Sequence, residues 1–440
     1  MKKFIVYFLL FSAAAGVGFG QSVRSLGMGG VILPGPWASA YNPAYAAYPA
    51  STYGPNGGIG LPLGLINLAL RPSISPVYYF TDFSTFEENF DFIAFYDQLT
   101  RPYEYIINPP RSPDEIVFHI SADGISVTDE NGEPLAIKYS AKATGSSGLP
   151  IKQPFFEIPI PTFTSWLHIS IGAYVNAGGF GVEPSENLTA DLAAGSLHAN
   201  TTYSVSARAA AESGLTGRIA FASPLPRVPG FDGKVYLGGQ VNGFYGLAYV
   251  DTTVTATTTT DSNAIPGEIS YSSNIFYTYP GVGSGYGGRV DLGVVADYQS
   301  GTYGLGIRNL IGYEKWSGIQ QTSDAGGTSE TQKTISQTVF NPSIYVNGAY
   351  AQTLEKKGVV LYGADMKYEN GALAAHAGLE YQKSVFRLRG GLGYEDGFKI
   401  GLGGGMALPH FSFDVAITSH QAPFTGQLTF GLASSLGFYF

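Results

Sequence analysis

The sequence predicts an all-β protein, an antiparallel transmembrane β-barrel of about fourteen strands within a range of twelve to sixteen. Three observations carry this. Charged residues are 13% of the chain, while Gly is 59 of 440 residues and Tyr and Phe are 30 and 28; a soluble domain carries roughly a quarter charged residues. Apolar and polar residues alternate with period two through segment after segment of the C-terminal half, and a strand sends successive side chains to opposite faces. Beyond residue 20 no stretch of about 18 apolar residues remains, so no membrane helix is expected.

Met1–Gly20 has Lys2 and Lys3, the apolar run Phe4–Phe11, then small residues. This is the pattern of a secretory signal, with cleavage expected after Gly20. The apolar run is too short to span a bilayer. There is no Cys, so disulfides and a lipidated mature N-terminus are excluded.

Residues 21–54 break up any strand pattern with Gly27, Gly29, Gly30 and Gly35 and with Pro34, Pro36, Pro43 and Pro49, because proline cannot donate to a ladder. The barrel is expected over 55–440. Its first strands are weak: Ile59–Leu70, then candidates near Ile74–Phe80 and Ile116–Ile120. Ser84–Thr100 reads as an amphipathic helix, with Ser84 and Glu87 as a capping box. Strands follow around Leu167–Val175, Tyr203–Ala207, Leu215–Phe221 and Val235–Tyr245. Val250–Gly288, with one weak strand at Ile269–Tyr277, and Ser317–Lys333 within 312–340 are Thr-, Ser- and Gly-rich and read as long loops.

From residue 289 the faces separate cleanly. Arg289, Asp291, Arg308, Asp365, Lys367, His376, Glu380, Arg387, Arg389, Lys399 and Asp414 share the polar faces, expected to point into the lumen. Leu292, Leu305, Leu379, Leu388, Leu402, Phe413 and Phe438 share the apolar faces. A charge on the lipid side at mid-bilayer costs about 2–4 kcal/mol. Tyr298, Tyr368, Tyr381 and Tyr394 fall near strand ends, where Tyr suits the headgroup level. The last strand, Leu428–Phe440, alternates to its end and closes on Phe438-Tyr439-Phe440.

That ending resembles the C-terminal assembly signal of bacterial outer-membrane barrels, with Leu436, Phe438 and Phe440 in the signal positions. A second resemblance lies at residues 24–50, where Gly27-Met28-Gly29-Gly30 is followed by Ala38-Ser39-Ala40 and Asn42-Pro43-Ala44. This is similar to the opening of the FadL superfamily, which includes fatty acid transporters, PorV-type secretion components and TraF-like barrels. The acidic residue of the family pattern is replaced by Pro36 and Trp37, and the Gly-Leu after Asn-Pro-Ala by Tyr45-Ala46. The pair Asp291-Leu292-Gly293 and Gly304-Leu305-Gly306-Ile307-Arg308-Asn309-Leu310 looks like a PorV- and TraF-type element. The resemblance implies a lumenal hatch built around Gly27, Met28, Gly29, Gly30, Ser39, Asn42 and Pro43. It also implies an outer-membrane location and insertion by the barrel assembly machinery. The implied work is passive uptake of hydrophobic or amphipathic molecules. The alternative is a protein-interaction role of the PorV or TraF kind, or a structural barrel with a closed lumen.

No enzyme, cofactor or metal site is expected. Gly283–Gly288 contains G-x-G-x-x-G without a strand–turn–helix context. The six His residues show no ligand spacing. His376 and Glu380 are expected to form an ion-pair network with Arg387 and Arg389; no Gly-x-Ser-x-Gly accompanies them. The formal charge of −9 argues against nucleic acid. The expected partners are membrane lipid, the assembly machinery and a hydrophobic ligand, with protein partners under the alternative.

Overall fold

The computed structural model describes residues 22–49, 59–71, 73–75, 82, 84, 89–101, 103–113, 117–121, 124–135, 154, 156–226, 229–355, 357–369, 371–395, 397–422 and 425–438. The signal segment, Glu87 of the capping box and Phe440 lie outside them.

Nineteen strands are described. They are β1 (Ile59–Pro62), β2 (Glu104–Ile106), β3 (Val117–Ser121), β4 (Gly124–Thr128), β5 (Phe156–Ile160), β6 (Leu167–Pro184) and β7 (Thr202–Pro224). Next come β8 (Lys234–Thr259), β9 (Ser270–Thr278), β10 (Ser284–Tyr298), β11 (Gly301–Asp324), β12 (Gly327–Val339) and β13 (Ser343–Leu354). The last are β14 (Gly358–Glu369), β15 (Ala372–Lys383), β16 (Phe386–Tyr394), β17 (Phe398–Leu408), β18 (Phe411–Gln421) and β19 (Leu428–Phe438). Seventeen form one sheet, antiparallel in every register, and β3–β4 is a separate hairpin.

Three pairs of strands in that sheet are collinear. β1 and β2 pair in turn with one edge of β19, Pro62 with Ser435 and then Glu104 with Ala433. β9 and β10 follow each other along β8, and β12 and β13 along β11. Seventeen strands with three collinear joins make fourteen courses of a barrel wall. The ladder runs unbroken from β5 to β19 and on to β1 and β2.

The two expected loops are a correction. Val250–Gly288 contains the upper half of β8, the strand β9 and the start of β10, and Ser317–Lys333 lies in β11 and β12. Rows of Thr and Ser there are polar on both faces, so no apolar alternation marks a strand. Thr is nevertheless β-branched and strand-favouring, and pairing satisfies the backbone in a stretch that rises past the apolar belt. Within Ile59–Leu70, only Ile59–Pro62 is strand; a 3-10 turn Leu63–Ile66 and the helix Asn67–Leu70 follow. Of the candidate Ile116–Ile120, the described residues 117–120 fall in the separate β3–β4 hairpin, not in the wall. The described helix in Ser84–Thr100 is Phe92–Thr100, capped by the Asp91 carboxylate, which accepts from Ala94 N at 2.9 Å.

The outer face is apolar. Leu292, Leu305, Leu379, Leu388, Leu402 and Phe413 are all exposed there, Leu388 by 64%. On the inner face Asp291, Arg308, Asp365, Glu380, Arg389 and Lys399 are buried. The chain's own N-terminus covers several of them, with Arg24 on Glu380, Ile32 on Asp365 and Tyr41 under Arg308. Met28, Leu33, Tyr41, Tyr45 and Tyr48 form one core cluster with Tyr236, Val295, Tyr345 and Leu361 of the wall. The core thus lies inside the barrel.

Candidate functional site

Residues 22–49 run down the concave face as a short helix, Val23–Gly27, and two 3-10 turns, Pro36–Ala40 and Pro43–Ala47. Ser22 caps the helix by accepting from Ser25 N at 3.2 Å. The sequence holds the segment against bare strand backbone. Gly29 sits at φ +74°, and a Cβ there would stand 2.4 Å from Leu392 N. Only glycine serves both demands. Met28 is fully buried, and its carbonyl lies over Gly378 and Gly391 of the wall.

Polar contacts fix each part in turn. Arg24 grips Glu380 with both Nε (2.8 Å) and Nη2 (2.7 Å), a bidentate fork. Arg389 donates to the same carboxylate, and its Nη1 lies 2.6 Å from Asp414 Oδ1 as an ion contact without hydrogen-bond alignment. Ile32 N donates to Asp365 at 2.7 Å, and Asp365 also meets His376 Nδ1 at 2.7 Å. Arg218 donates to Ser39 Oγ at 3.2 Å. Asn42 donates through Nδ2 to Val294 O at 2.9 Å and accepts from Ala44 N at 3.0 Å, holding the turn into Pro43. Tyr45 OH donates to Asn347, and Tyr48 OH to Asp297.

The other lumenal charges form two clusters. Asp291 accepts from Gln240, Asn242, Asn309 N and Arg289. Arg308 pairs with Glu369 and lies 4.9 Å over the Tyr41 ring. Lys367 and Lys399 converge on Glu395 at 3.3 and 2.6 Å. Glu395 sits in the turn after β16. Burial alone would raise its pKa, but Lys399 and Lys367 outweigh that and hold the carboxyl below the usual range.

The expected network is redrawn in one respect. Glu380 does pair with Arg389, and Arg387 lies within electrostatic reach of Glu380 and Asp414. His376 instead bonds Asp365, because β15 places it opposite Asp365 of β14 rather than beside the arginines. Arg24 is a site residue that sequence reasoning missed. A lone cation ahead of Gly27, with an inward Glu on a wall strand, was the signal that could have found it. Of the C-terminal positions, Leu436 is half-exposed and pairs with Phe413 and Leu61, and Phe438 pairs with Phe411 and Ile59. Among the described residues no group of three or more His, Cys, Asp or Glu could hold a metal ion.

Behind the Asn42 turn the wall is one backbone thick. Gly238 faces Ala44 N and Gly293 faces Asn42 Oδ1, where a Cβ would stand 1.9 Å away. The same glycines floor an apolar groove of about 660 Å³ on the outer face, walled by Trp166, Phe221, Leu237, Leu292 and Leu305. Gly293→Val is therefore expected to push the Asn42 turn off the wall at a cost of about 1–3 kcal/mol. Proteolysis at Arg24 should accelerate by about tenfold or more, while heat-modifiable gel migration still reports a folded barrel. An unchanged cleavage rate would refute this contact.

No family model matches the chain, and no curated protein matches it. Solved structures do. The Ralstonia pickettii toluene transporter TbuX is 11% identical, with 64% of this chain and 78% of that chain covered at a TM-score of 0.31. The CymD monoaromatic hydrocarbon channel is 10% identical, with 62% and 88% covered at 0.28. The Pseudomonas putida toluene transporter TodX is 10% identical, with the same coverage at 0.27. At TM-scores this low, none of these likenesses assigns a function to the chain.

Proposed function

We propose that the chain is an outer-membrane barrel for passive uptake of hydrophobic or amphipathic small molecules, with residues 22–49 as its plug. The observation that carries this is the placement of the segment. It fills the concave face through buried but individually modest contacts, and its Asn42 turn rests on a wall one backbone thick. An apolar solute reaching the segment needs no catalyst, only displacement of the turn. The apolar outer face and the polar inner row suit a bilayer on one side and water on the other.

The test is entry of laurate and naphthalene into vesicles whose outer leaflet is lipopolysaccharide. Vesicles carrying the protein should fill several-fold faster than empty ones. Equal rates for both solutes would end the uptake reading. The anchoring alternative has one observation in its favour. β8, β11 and β12 extend above the apolar belt with polar residues on both faces, a surface on which a protein partner could seat. A stoichiometric partner retained through mild-detergent purification would support it.

A further inference from the structure

The groove behind the Asn42 turn has no part in the uptake reading. It crosses β7, β8, β10 and β11 on the outer face, between walls of Phe221, Leu237, Leu292 and Leu305. A missing side chain gives it depth. Gly239 stands in the outer row of β8, paired with Phe221 on one side and Leu292 on the other. Its neighbours in that row are Leu237 and Val241, both exposed. A Cβ at 239 would meet only the tip of Leu292 at 3.4 Å and Asp291 O at 3.9 Å. The floor beside it is closed from within, since Gly238 lies on Ala44 N and Gly293 on the Asn42 side chain. A solute in the lumen is cut off from the groove while the plug is seated, whereas a bilayer opens straight into it.

The groove has two unlike ends. One lies beside the short turns: β7 ends at Pro224, β8 begins at Lys234, and Gln299-Ser300 joins β10 to β11. Short turns mark the periplasmic side of such a barrel. The opposite end carries the longer 185–201 connection with its helix Glu186–Ala194. At the short-turn end Trp166 lines the groove and stacks on Phe221, with centroids 5.9 Å and planes 18° apart. Phe163 of the same turn is fully exposed. Trp, with an apolar body and one N–H, belongs at the headgroup level. Beyond it the lining is Leu292, Leu305 and Ile307, and no charged residue lines the groove.

We propose that the groove binds one acyl chain of a diacyl phospholipid of the periplasmic leaflet, with the headgroup beside Trp166. Lipid tails are as apolar as Leu, so the hydrophobic effect does not select the occupant. Contact does. A chain lying on an even wall touches protein on one side, while a chain in the groove touches its floor and both walls. An empty groove forfeits those dispersion contacts. An amphipathic aromatic at one end and apolar lining beyond it match a molecule with one polar end and a long apolar tail, entering from the leaflet that meets the short turns. The proposal goes beyond uptake and needs only that the outer face meets a bilayer.

Trp166 is the reporter. The chain has three Trp; Trp316 is buried and Trp37 packs against the plug's core cluster. The experiment titrates the full-length protein in detergent with phosphatidylethanolamine brominated on its acyl chains and reads tryptophan quenching. The expected curve saturates at about one lipid per chain. Gly239→Leu fills the groove from the lipid side and should weaken the lipid by about tenfold or more, while the protease protection of residues 22–49 stays as it was. Quenching that never saturates, or that is the same in both proteins, means annular lipid only and overturns the site. Displacement of the brominated lipid by equal laurate or naphthalene gives the groove to those solutes, and a dimer that Gly239→Leu dissociates gives it to a second copy; either result overturns the proposal. Should the variant fail to show heat-modifiable migration, the shape of the titration on the unaltered chain decides alone. If the lipid saturates the groove while neither solute enters vesicles, the site stands and uptake falls. If it does not saturate while both solutes enter, the site falls and uptake stands.

Discussion

Removing residues 22–49, with the signal and Gln21 kept, is expected to leave a folded barrel of raised conductance. The wall keeps most of its own partners when the segment leaves. Glu380 retains Arg389, Asp365 retains His376, and Asp291 retains Gln240, Asn242 and Arg289. The strand ladder does not use the segment at all. What is lost is the material across the lumen: Met28, Leu33, Tyr41, Tyr45 and Tyr48, all buried. Burying one such side chain is worth about 1.5–3 kcal/mol, so the wall's inner apolar patch around Tyr236, Val295, Tyr345 and Leu361 becomes wetted and the barrel loses stability without losing its ladder. In planar bilayers the truncated barrel should conduct several-fold better than the full chain. Equal conductance would show that the segment is not a plug, and the uptake mechanism would lose its support.

The second large effect is expected at Glu380. Its side chain is fully buried between Arg24 of the segment and Arg389 of the wall. Glu380→Ala leaves Arg389, itself fully buried, with Asp414 alone while Arg24 and Arg387 stand near. Breaking a buried ion pair from one side costs about 3–5 kcal/mol. Arg24→Ala removes only the plug's half and leaves Glu380 paired with Arg389. The two variants should therefore separate. Glu380→Ala should lower both the midpoint of denaturant unfolding and the protection of the segment from protease. Arg24→Ala should lower protection by about tenfold or more and move the midpoint little. A midpoint shift as large in Arg24→Ala as in Glu380→Ala would mean that the segment is part of the folding unit, not a plug docked on it.

Much of this molecule was legible in one dimension, and the residues show why. Leu292, Leu305, Leu379, Leu388, Leu402 and Phe413 are on one face, and Asp291, Arg308, Asp365, Glu380 and Arg389 on the other, because a strand's two-residue period needs no partner to define it. The expected count of about fourteen agrees with the fourteen courses through offsetting errors: Tyr203–Ala207 and Leu215–Phe221 are one strand, β7, the β3 candidate lies outside the wall, and β5 and β12 carried no periodic mark. Periodicity fails where both faces meet water. In Asp251–Thr259 and Ser317–Asp324 neither side chain row is apolar, so a strand carries no periodic mark and reads as a loop. At Phe92–Thr100 the described helix takes its cap from Asp91, while the Ser84–Glu87 capping box lies partly outside the described residues.

The sequence by itself determined the class of wall, the sorting of its charges, and the presence of a segment at 24–50 that could not join a ladder. The tertiary structure alone decided what those charges and that segment do to one another. Arg24 and Glu380 are 356 positions apart, and nothing local to either names the other. Asn42 meets Val294, and Ile32 meets Asp365, for the same reason: the contact exists only once β10 and β14 have curled round the N-terminus. A glycine at 293 is an ordinary strand residue until an asparagine side chain is laid across it. The period of a strand is a property of the covalent chain, and so it can be read from order. The meeting of two distant segments is set by the curling of the sheet around them, and only the folded chain contains it.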